Sequence, residues 1–305
     1  MNTAATRLRQ VGEAAIEVVE RQPWLDALGS RLQRAVVATF AAGGKTGRRV
    51  RDLLHGTWLG HPLHPVLTDV PLGAWTTALV LDAMATRRNR LSEAADVAIG
   101  IGIAGAAGAA VTGLTDWQHT TEGDRRVGLA HGLINASALA LYVAALSLRR
   151  AGSRELGRAF AGAGFIVVSA AAYLGGSLVF QRRIGVDHAE RPEVSQDFVA
   201  VLADADLREG GTRAVMAHGA SIALVRRGGR VFAVGERCAH LGGPLSEGTV
   251  EGSAIRCPWH GSAFNLEDGR VLEGPSTFPQ PCFEVRVRGG QIEVRPRDQH
   301  SLRAA

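Results

Sequence analysis

The chain changes its hydrophobic rhythm twice. Early on, apolar positions recur at helical spacing: Val11, Ala14, Ala15, Val18 and Val19, then Trp24, Leu25 and Leu28. This pattern predicts amphipathic helices, either on a protein surface or along a membrane interface. A basic link, KTGRRVR at 45–51, leads to the run GHPLHP at 60–65. Apolar segments follow at about 66–85, 95–115, 127–148 and 159–180. Each approaches the roughly 20 residues that a helix needs to cross about 30 Å of hydrocarbon. The first is the weakest, because Asp69, Pro71 and Asp82 interrupt it. The second is nearly all Gly and Ala, the third carries His131 and Asn135, and the fourth has no charge. Small residues let helices approach closely, which in lipid replaces the missing hydrophobic drive. A soluble bundle of very apolar helices is the alternative; Arg clusters at the segment ends favour membrane helices. No internal repeat is evident.

After a polar tether, QRRIGVDHAERPE at 181–193, the period becomes alternating. DFVAVLADADL, RAVMAHG, SIALVRRGGRVFAVG and CFEVRVRGGQIEVRP read as strands, and Gly228-Gly229 and Gly289-Gly290 mark hairpin turns. The expected organisation is multidomain: an α-helical membrane four-helix bundle followed by a small all-β domain. Its parts are an amphipathic helical region at 1–52, a four-helix transmembrane domain at 53–181, a linker at 182–195 and the β domain at 196–298.

Composition agrees. Of 305 residues 46% are hydrophobic, and the net charge of +5 comes mainly from Arg flanking the apolar runs. No basic stripe is interleaved with aromatics, which argues against a nucleic-acid partner. Three Cys are too few for a disulfide scaffold. The first twenty residues show no secretory or twin-Arg signal. Four crossings put both termini on one side. Arg87, Arg88, Arg90, Arg149, Arg150, Arg154 and Arg158 then face one compartment, and Lys45, Arg48, Arg49, Arg51, Arg125, Arg126, Arg182 and Arg183 the other. That count is nearly balanced, so the missing export signal decides for a β domain on the cytoplasmic side.

The chemistry concentrates in Cys238-Ala-His240-Leu-Gly-Gly-Pro and Cys257-Pro-Trp-His260-Gly-Ser-Ala-Phe. Two loops each offer one thiolate and one imidazole. Zinc accepts such a set, but C-x-H is a poor zinc spacing, and the surrounding Gly and Pro suit tight loops around an inorganic cluster. The two stretches resemble the Rieske motif, in the small ferredoxin form found with bacterial oxygenases and nitrite reductases, over about 198–297. The resemblance implies a [2Fe–2S] cluster with Cys238 and Cys257 on one iron and His240 and His260 on the other. Neutral His ligands leave the oxidised cluster with no net charge, which raises its potential above that of a four-thiolate cluster. The site thus suits one-electron transfer. Trp259 is expected to shield the cluster, and Cys282 to be a buried strand or turn residue. His188, His218 and His300 lie outside the motif and are expected in solvent. Rieske proteins of quinol-oxidising complexes, as the resemblance implies, add a disulfide between the loops and a Ser and a Tyr hydroxyl near the sulfurs. Here Gly242, Gly243 and Trp259 occupy the places of the extra Cys residues, Ser262 is present, and Phe264 stands for the Tyr. A low-potential, ferredoxin-like cluster is expected.

HPLHPVLTDVPLGAW, the Gly-rich second segment ending in Thr115-Asp-Trp117, and His131-Gly-Leu-Ile-Asn135 resemble a bacterial four-helix membrane family of unknown function. Ionisable residues inside membrane segments are costly and point to function. Interhelical hydrogen bonding is one use for His64 and His131; a b-type haem with His ligands, or a quinone site, is another. His61 and His119 lie near segment ends. The expected protein is a carrier in the bacterial inner membrane, with the lipid bilayer and a reductase or acceptor as partners. An electron-supplying component of an oxygenase system and a redox-sensing module are the alternatives. An oxygenase would need its own mononuclear iron on two His and a carboxylate.

Overall fold

A computed structural model describes residues 3–86, 90–193 and 195–297. The chain forms two compact units. One comprises Met1–Val50 and Leu63–Ile184, and the other Arg51–Pro62 and Gly185–Ala305.

The first unit is helical. Its elements are α1 (Thr3–Glu20), α2 (Trp24–Ala42), the start of α3 (Gly44–His55), α4 (Leu63–Met84), α5 (Leu91–Trp117), α6 (Glu122–Arg150) and α7 (Arg154–Phe180). α4 and α5 form one antiparallel hairpin and α6 and α7 another; α5 packs on α6 and α4 on α7. Helices α1 and α2 lie against α6. Among the described residues three helices, α5, α6 and α7, are long and apolar enough to cross a membrane. The fourth expected segment is helix α4. It does not reach that standard, because His64, Asp69 and Asp82 dilute its apolar run. Pro71 is accommodated inside α4 and is buried, with Gly105 of α5 opposite: a Cβ there would meet Val70 Cγ1 at 2.6 Å.

The two hairpins are copies of one design. His64, Trp75 and Asp82 on α4 recur at identical spacing as His131, Tyr142 and Arg149 on α6. Equivalent residues meet: the imidazoles of His64 and His131 are neighbours, the rings of Trp75 and Tyr142 stack 3.9 Å apart at 10°, and Arg149 pairs with Asp82. Glycines recur too, Gly102 beneath Trp75 and Gly164 beneath Tyr142. A repeat is therefore present where none was expected. It escapes the sequence because two of its three polar or aromatic pairs pair different residue types.

Ion pairs close both ends of the bundle. At one end Arg149, whose side chain is fully buried, donates to Asp82 and Asp96, each at 3.0 Å. Arg154 and Arg158 add contacts to Asp96 and Asp82 at 3.0 and 3.4 Å. At the other end Asp26 accepts from Arg125 and Arg126 at 2.7 and 2.8 Å, and Arg182 donates to Asp124 at 2.6 Å and to Glu20. Many of the cations counted for topology are thus neutralised by carboxylates. Arg87 and Arg88 lie outside the described residues.

The second unit is built on two antiparallel sheets. Its strands are β1 (Val199–Ala203), β2 (Thr212–Ala217), β3 (Ala220–Arg227), β4 (Arg230–Gly235), β5 (Thr249–Glu251), β6 (Ala254–Arg256), β7 (Ala263–Asn265), β8 (Val271–Glu273), β9 (Cys282–Arg288) and β10 (Gln291–Pro296). The larger sheet has the order β1-β10-β9-β4-β3-β2 and the smaller runs β5-β6-β7-β8. Both expected Gly-Gly hairpins form, and each of the four glycines has positive φ, between 56° and 71° or at 76°. That conformation gives a two-residue turn the twist of its strands. Ile222, Leu224, Ile292, Val294 and Phe283 fill one core on the large sheet. A second core joins Val225, Val234, Leu245, Ile255 and Phe264 to the two motif cysteines.

The tether and the link before α4 belong to this unit as well. His188 N–H donates to Ala239 O at 3.0 Å, and Ser221 N–H donates to Glu190 at 2.9 Å. Arg51 pairs with Glu273 at 3.2 Å, and His55 is 1% exposed. Residues 51–62 and 185–193 group with the β strands in one compact unit.

Arg149 is the buried cation between two carboxylates, so removing it leaves Asp82 and Asp96 only the more exposed Arg158 and Arg154. Arg149→Ala should destabilise the helical unit by about 3–5 kcal/mol. Thermal unfolding in detergent checks this: a melting point within a degree of wild type would show the network to be dispensable.

Candidate metal centre

Two loops of the β unit present the motif side chains, and they are built alike. In the first, Cys238 N–H donates to Gly243 O at 2.8 Å and Gly242 N–H donates to Cys238 O at 2.7 Å. In the second, Cys257 N–H donates to Ser262 O at 2.9 Å and Gly261 N–H donates to Cys257 O at 3.1 Å. Gly242 and Gly261 occupy equivalent turn positions with φ of 78° and 79°. An L side chain is disfavoured there, so a glycine four residues after each cysteine is a geometric requirement.

The loops bring the four motif residues together as two pairs. Cys238 and Cys257 are buried, at 1% and 3% exposure, and act on one another. The Cys238 sulfur holds the Cys257 thiol down against the opposing effect of burial, and backbone N–H groups of Trp259 and His260 also lower it. The Cys257 sulfur, with burial, pushes Cys238 well up, while N–H groups of His240 and Leu241 oppose this. His240 and His260 lie side by side, with ring centroids 5.0 Å apart and planes at 86°. Burial depresses both imidazoles; for His240 the neighbouring His260, His55 and His188 add to it.

This donor set fits a binuclear cluster. Neutral imidazoles have the lone pair that a metal needs, and backbone N–H groups aimed at sulfur stabilise thiolate charge. Among the described residues no three His, Cys, Asp or Glu side chains converge as a site for a single ion. The motif side chains come as one sulfur pair and one imidazole pair, the set that two irons with two protein ligands each would use.

Residues that the sequence did not single out hold the loops. Gln280 is 1% exposed. Its oxygen accepts from Ala239 N–H at 3.0 Å, and its amide nitrogen donates to Gly235 O and Arg237 O at 2.8 and 3.0 Å. Glu236 accepts from Ser246 N–H and Oγ at 2.9 and 2.7 Å, and burial raises its carboxyl. On the second loop Arg256 donates to Gly261 O at 2.7 Å and to Glu273 at 3.0 Å. The only signal for Gln280 was a polar residue between two prolines, Pro279 and Pro281, just before a buried strand.

The other named residues fall as follows. Ser262 is fully buried and its Oγ accepts from Ser276 N–H at 2.9 Å, so its own proton is free to be donated elsewhere. Phe264 is fully buried in the cysteine-bearing core. Trp259 is 57% exposed, against the expectation of a shield. It lies across loop one, where a Cβ on Gly243 would meet its ring at 3.0 Å and Cys257 Sγ at 2.9 Å. Cys282 is buried in β9, where burial pushes its thiol up to about 12. His188 is half-buried on loop one, and His218 Nε2 donates to Val294 O at 3.2 Å, so neither is merely solvated. His300 lies outside the described residues.

Gln280→Leu keeps most of the volume but strands one buried donor and two acceptors. It should cost about 3 kcal/mol or more, while Cys282→Ala, which only trims the core, should cost about 1–2 kcal/mol. Denaturant midpoints of the two variants should differ accordingly; equal values would deny Gln280 its role as the staple of loop one.

Comparison with known proteins agrees with this geometry. Residues 197–284 match the Rieske [2Fe-2S] domain, and residues 60–188 match the family described as "Predicted membrane protein (DUF2231)". Ferredoxin CarAc of Metapseudomonas resinovorans is 38% identical over 102 residues, covering 33% of this chain and 95% of the relative. The 3-phenylpropionate/cinnamic acid dioxygenase ferredoxin subunit of Photorhabdus laumondii is 37% identical over 102 residues, covering 33% and 94%. Among solved structures, the ferredoxin of carbazole 1,9a-dioxygenase from Nocardioides aromaticivorans IC177 is similar at 28% identity, covering 33% of this chain and all of that one, with a TM-score of 0.32. The chain belongs to the Rieske [2Fe–2S] ferredoxins through its β unit, which is joined to a predicted membrane protein domain.

Proposed function

We propose that this protein is a membrane-anchored one-electron carrier. In this reading Cys238 and Cys257 hold one iron of a [2Fe–2S] cluster and His240 and His260 hold the other. The carrying observation is that the β unit spans 95% of a free-standing ferredoxin at 38% identity. Such a cluster supplies one-electron chemistry at a potential set by its ligands and their hydrogen bonds. The residues around it do the rest. Gln280 and Arg256 fix the loops, the buried cysteines exclude water, and the partly buried imidazoles lie closer to the surface, on the side a partner would meet.

Both named relatives are ferredoxins, and one is the ferredoxin subunit of a dioxygenase. A partner of the same class, a reductase upstream and an acceptor downstream, is the natural reading here. What this chain adds is a helical unit with three helices fit to cross a bilayer. We place it in the bacterial inner membrane, α4 completing the bundle beside those three, with the β unit in the cytoplasm. An acceptor within the membrane, either protein-bound or a quinone, accounts for the anchor.

The purified protein should contain two irons and two acid-labile sulfides per chain, with the low-average-g EPR spectrum of mixed His/Cys ligation after reduction. Cys257→Ser and His260→Ala should each abolish it. Freshly made protein filled with zinc and silent in EPR would end the proposal.

The potential should fall in the lower half of the roughly −150 to +300 mV Rieske range. The core offers no hydroxyl at Phe264, so Phe264→Tyr should raise it by some tens of millivolts. Protein-film voltammetry at pH 7 measures both, and a wild-type midpoint above roughly +200 mV contradicts the ferredoxin-like reading.

For topology, proteases added outside sealed spheroplasts should spare the β unit. Its digestion there would place it on the opposite face.

A further inference from the structure

The helical unit carries two copies of one half-site, and nothing in the carrier's ferredoxin unit uses them. In the first hairpin His64 Nδ1 lies 2.8 Å from Ala109 O of α5. In the second, His131 Nδ1 lies 2.9 Å from Ala171 O of α7. A carbonyl oxygen only accepts, so Nδ1 carries the proton in both rings and Nε2 carries the lone pair. One helical turn along from each carbonyl stands a glycine that makes room for the ring. A Cβ on Gly113 would lie 2.8 Å from His64 Cε1, and one on Gly175 would lie 3.0 Å from His131 Cε1. The two imidazoles are neighbours across the repeat, edge to face, with centroids 6.4 Å apart and planes at 87°.

Several features separate this pair from ordinary helix-to-helix hydrogen bonding. Both Nδ1–H groups are spent on carbonyls, so the neutral rings have no proton with which to bond each other. A histidine held through Nδ1–H by a backbone carbonyl is the form in which Nε2 ligates metals. Two imidazoles on opposite sides of one iron, each nitrogen about 2 Å from the metal, set their ring centres roughly 6 Å apart. A lone zinc or copper ion needs three or four protein ligands, and among the described residues no third donor joins these two. Haem iron needs only two, because the macrocycle supplies the rest. Asn135 is the remaining polar neighbour. Its Nδ2 lies 3.2 Å from His131 Nε2 while donating to His131 O at 2.9 Å.

We propose that His64 and His131 are the axial ligands of a b-type haem held between α4 and α6. The proposal deepens the carrier reading by naming the membrane-side one-electron group, but haem binding is tested independently of the cluster. Asn135 gives way to the iron at His131, and the paired carbonyls and glycines set the ring planes close to perpendicular.

The test uses the full-length protein, purified in detergent from cells supplied with a haem precursor, with hemin also added to the purified material. One haem per chain is expected, with a low-spin ferric EPR signal of the strongly axial, large-gmax kind that perpendicular imidazole planes produce. His64→Ala and His131→Ala should each remove the low-spin signal, leave the Rieske EPR signal at wild-type intensity, and leave the helical circular dichroism of the detergent-purified chain unchanged, which shows that both units still fold. Should a variant fail to accumulate, near-infrared magnetic circular dichroism of the wild type reads the axial pair directly as bis-imidazole. A wild-type protein with a full Rieske signal but no Soret band after hemin addition overturns the proposal. So does a haem whose low-spin signal survives both substitutions. Loss of the cluster signal with haem retained would instead overturn the Rieske reading alone.

Discussion

Two short loops must hold two sulfurs and two imidazoles at fixed positions, and most of the β unit serves that constraint. Each loop is closed by a reciprocal pair of backbone hydrogen bonds around its cysteine, with a positive-φ glycine completing the turn. Tight closure turns N–H groups inward, toward the sulfurs. It also leaves backbone carbonyls of the first loop pointing into the core, where an unmet acceptor is costly. Gln280 meets two of these and accepts from the loop in return. Sheet strands β4 and β9 exist at this place, in effect, to bring Gly235 and the Gln280 segment together.

The cysteines are more deeply buried than the imidazoles. Buried sulfur beside Leu245, Ile255 and Phe264 is protected from water and oxidants. The imidazoles sit at the unit's edge, partly buried. Segments from outside the strands complete that edge. Gly274 has room for no side chain, since a Cβ there would lie 3.1 Å from Asp52 Oδ1 and Thr57 Cγ2, and the chain around His188 is bonded to Ala239. His55 and His188 thereby contribute to the electrostatics of His240.

The helical unit obeys a different rule. Polar side chains among long apolar helices need partners within the unit. Here the partners come from the repeat: carbonyl for imidazole within each hairpin, and Arg149 for Asp82 between hairpins. The repeat explains why glycine is so frequent in α5 and α7. Gly102 and Gly164 accept the faces of Trp75 and Tyr142, while Gly113 and Gly175 accept the imidazoles.

The sequence by itself determined whatever depends on local spacing. Cysteine and histidine at short intervals name a ligand set because one loop can hold only nearby residues. Gly-Gly between alternating runs names a hairpin because the turn needs positive φ. Twenty apolar residues name a long buried or membrane helix because of its length. What only the tertiary structure decided depends on residues far apart in the chain. Gln280 became a staple of loop one through strand pairing that brings it beside residues 235–239. The tether at 181–193 reads as a spacer because it lacks periodicity, yet hydrogen bonds seat its residues 188 and 190 on the β unit, and Arg51, at the end of the basic link, pairs there with Glu273. The repeat stayed hidden because it conserves which positions meet and not which residues occupy them: Trp75 answers Tyr142, and Asp82 answers Arg149, since a stack or an ion pair needs complementary partners and not identical ones.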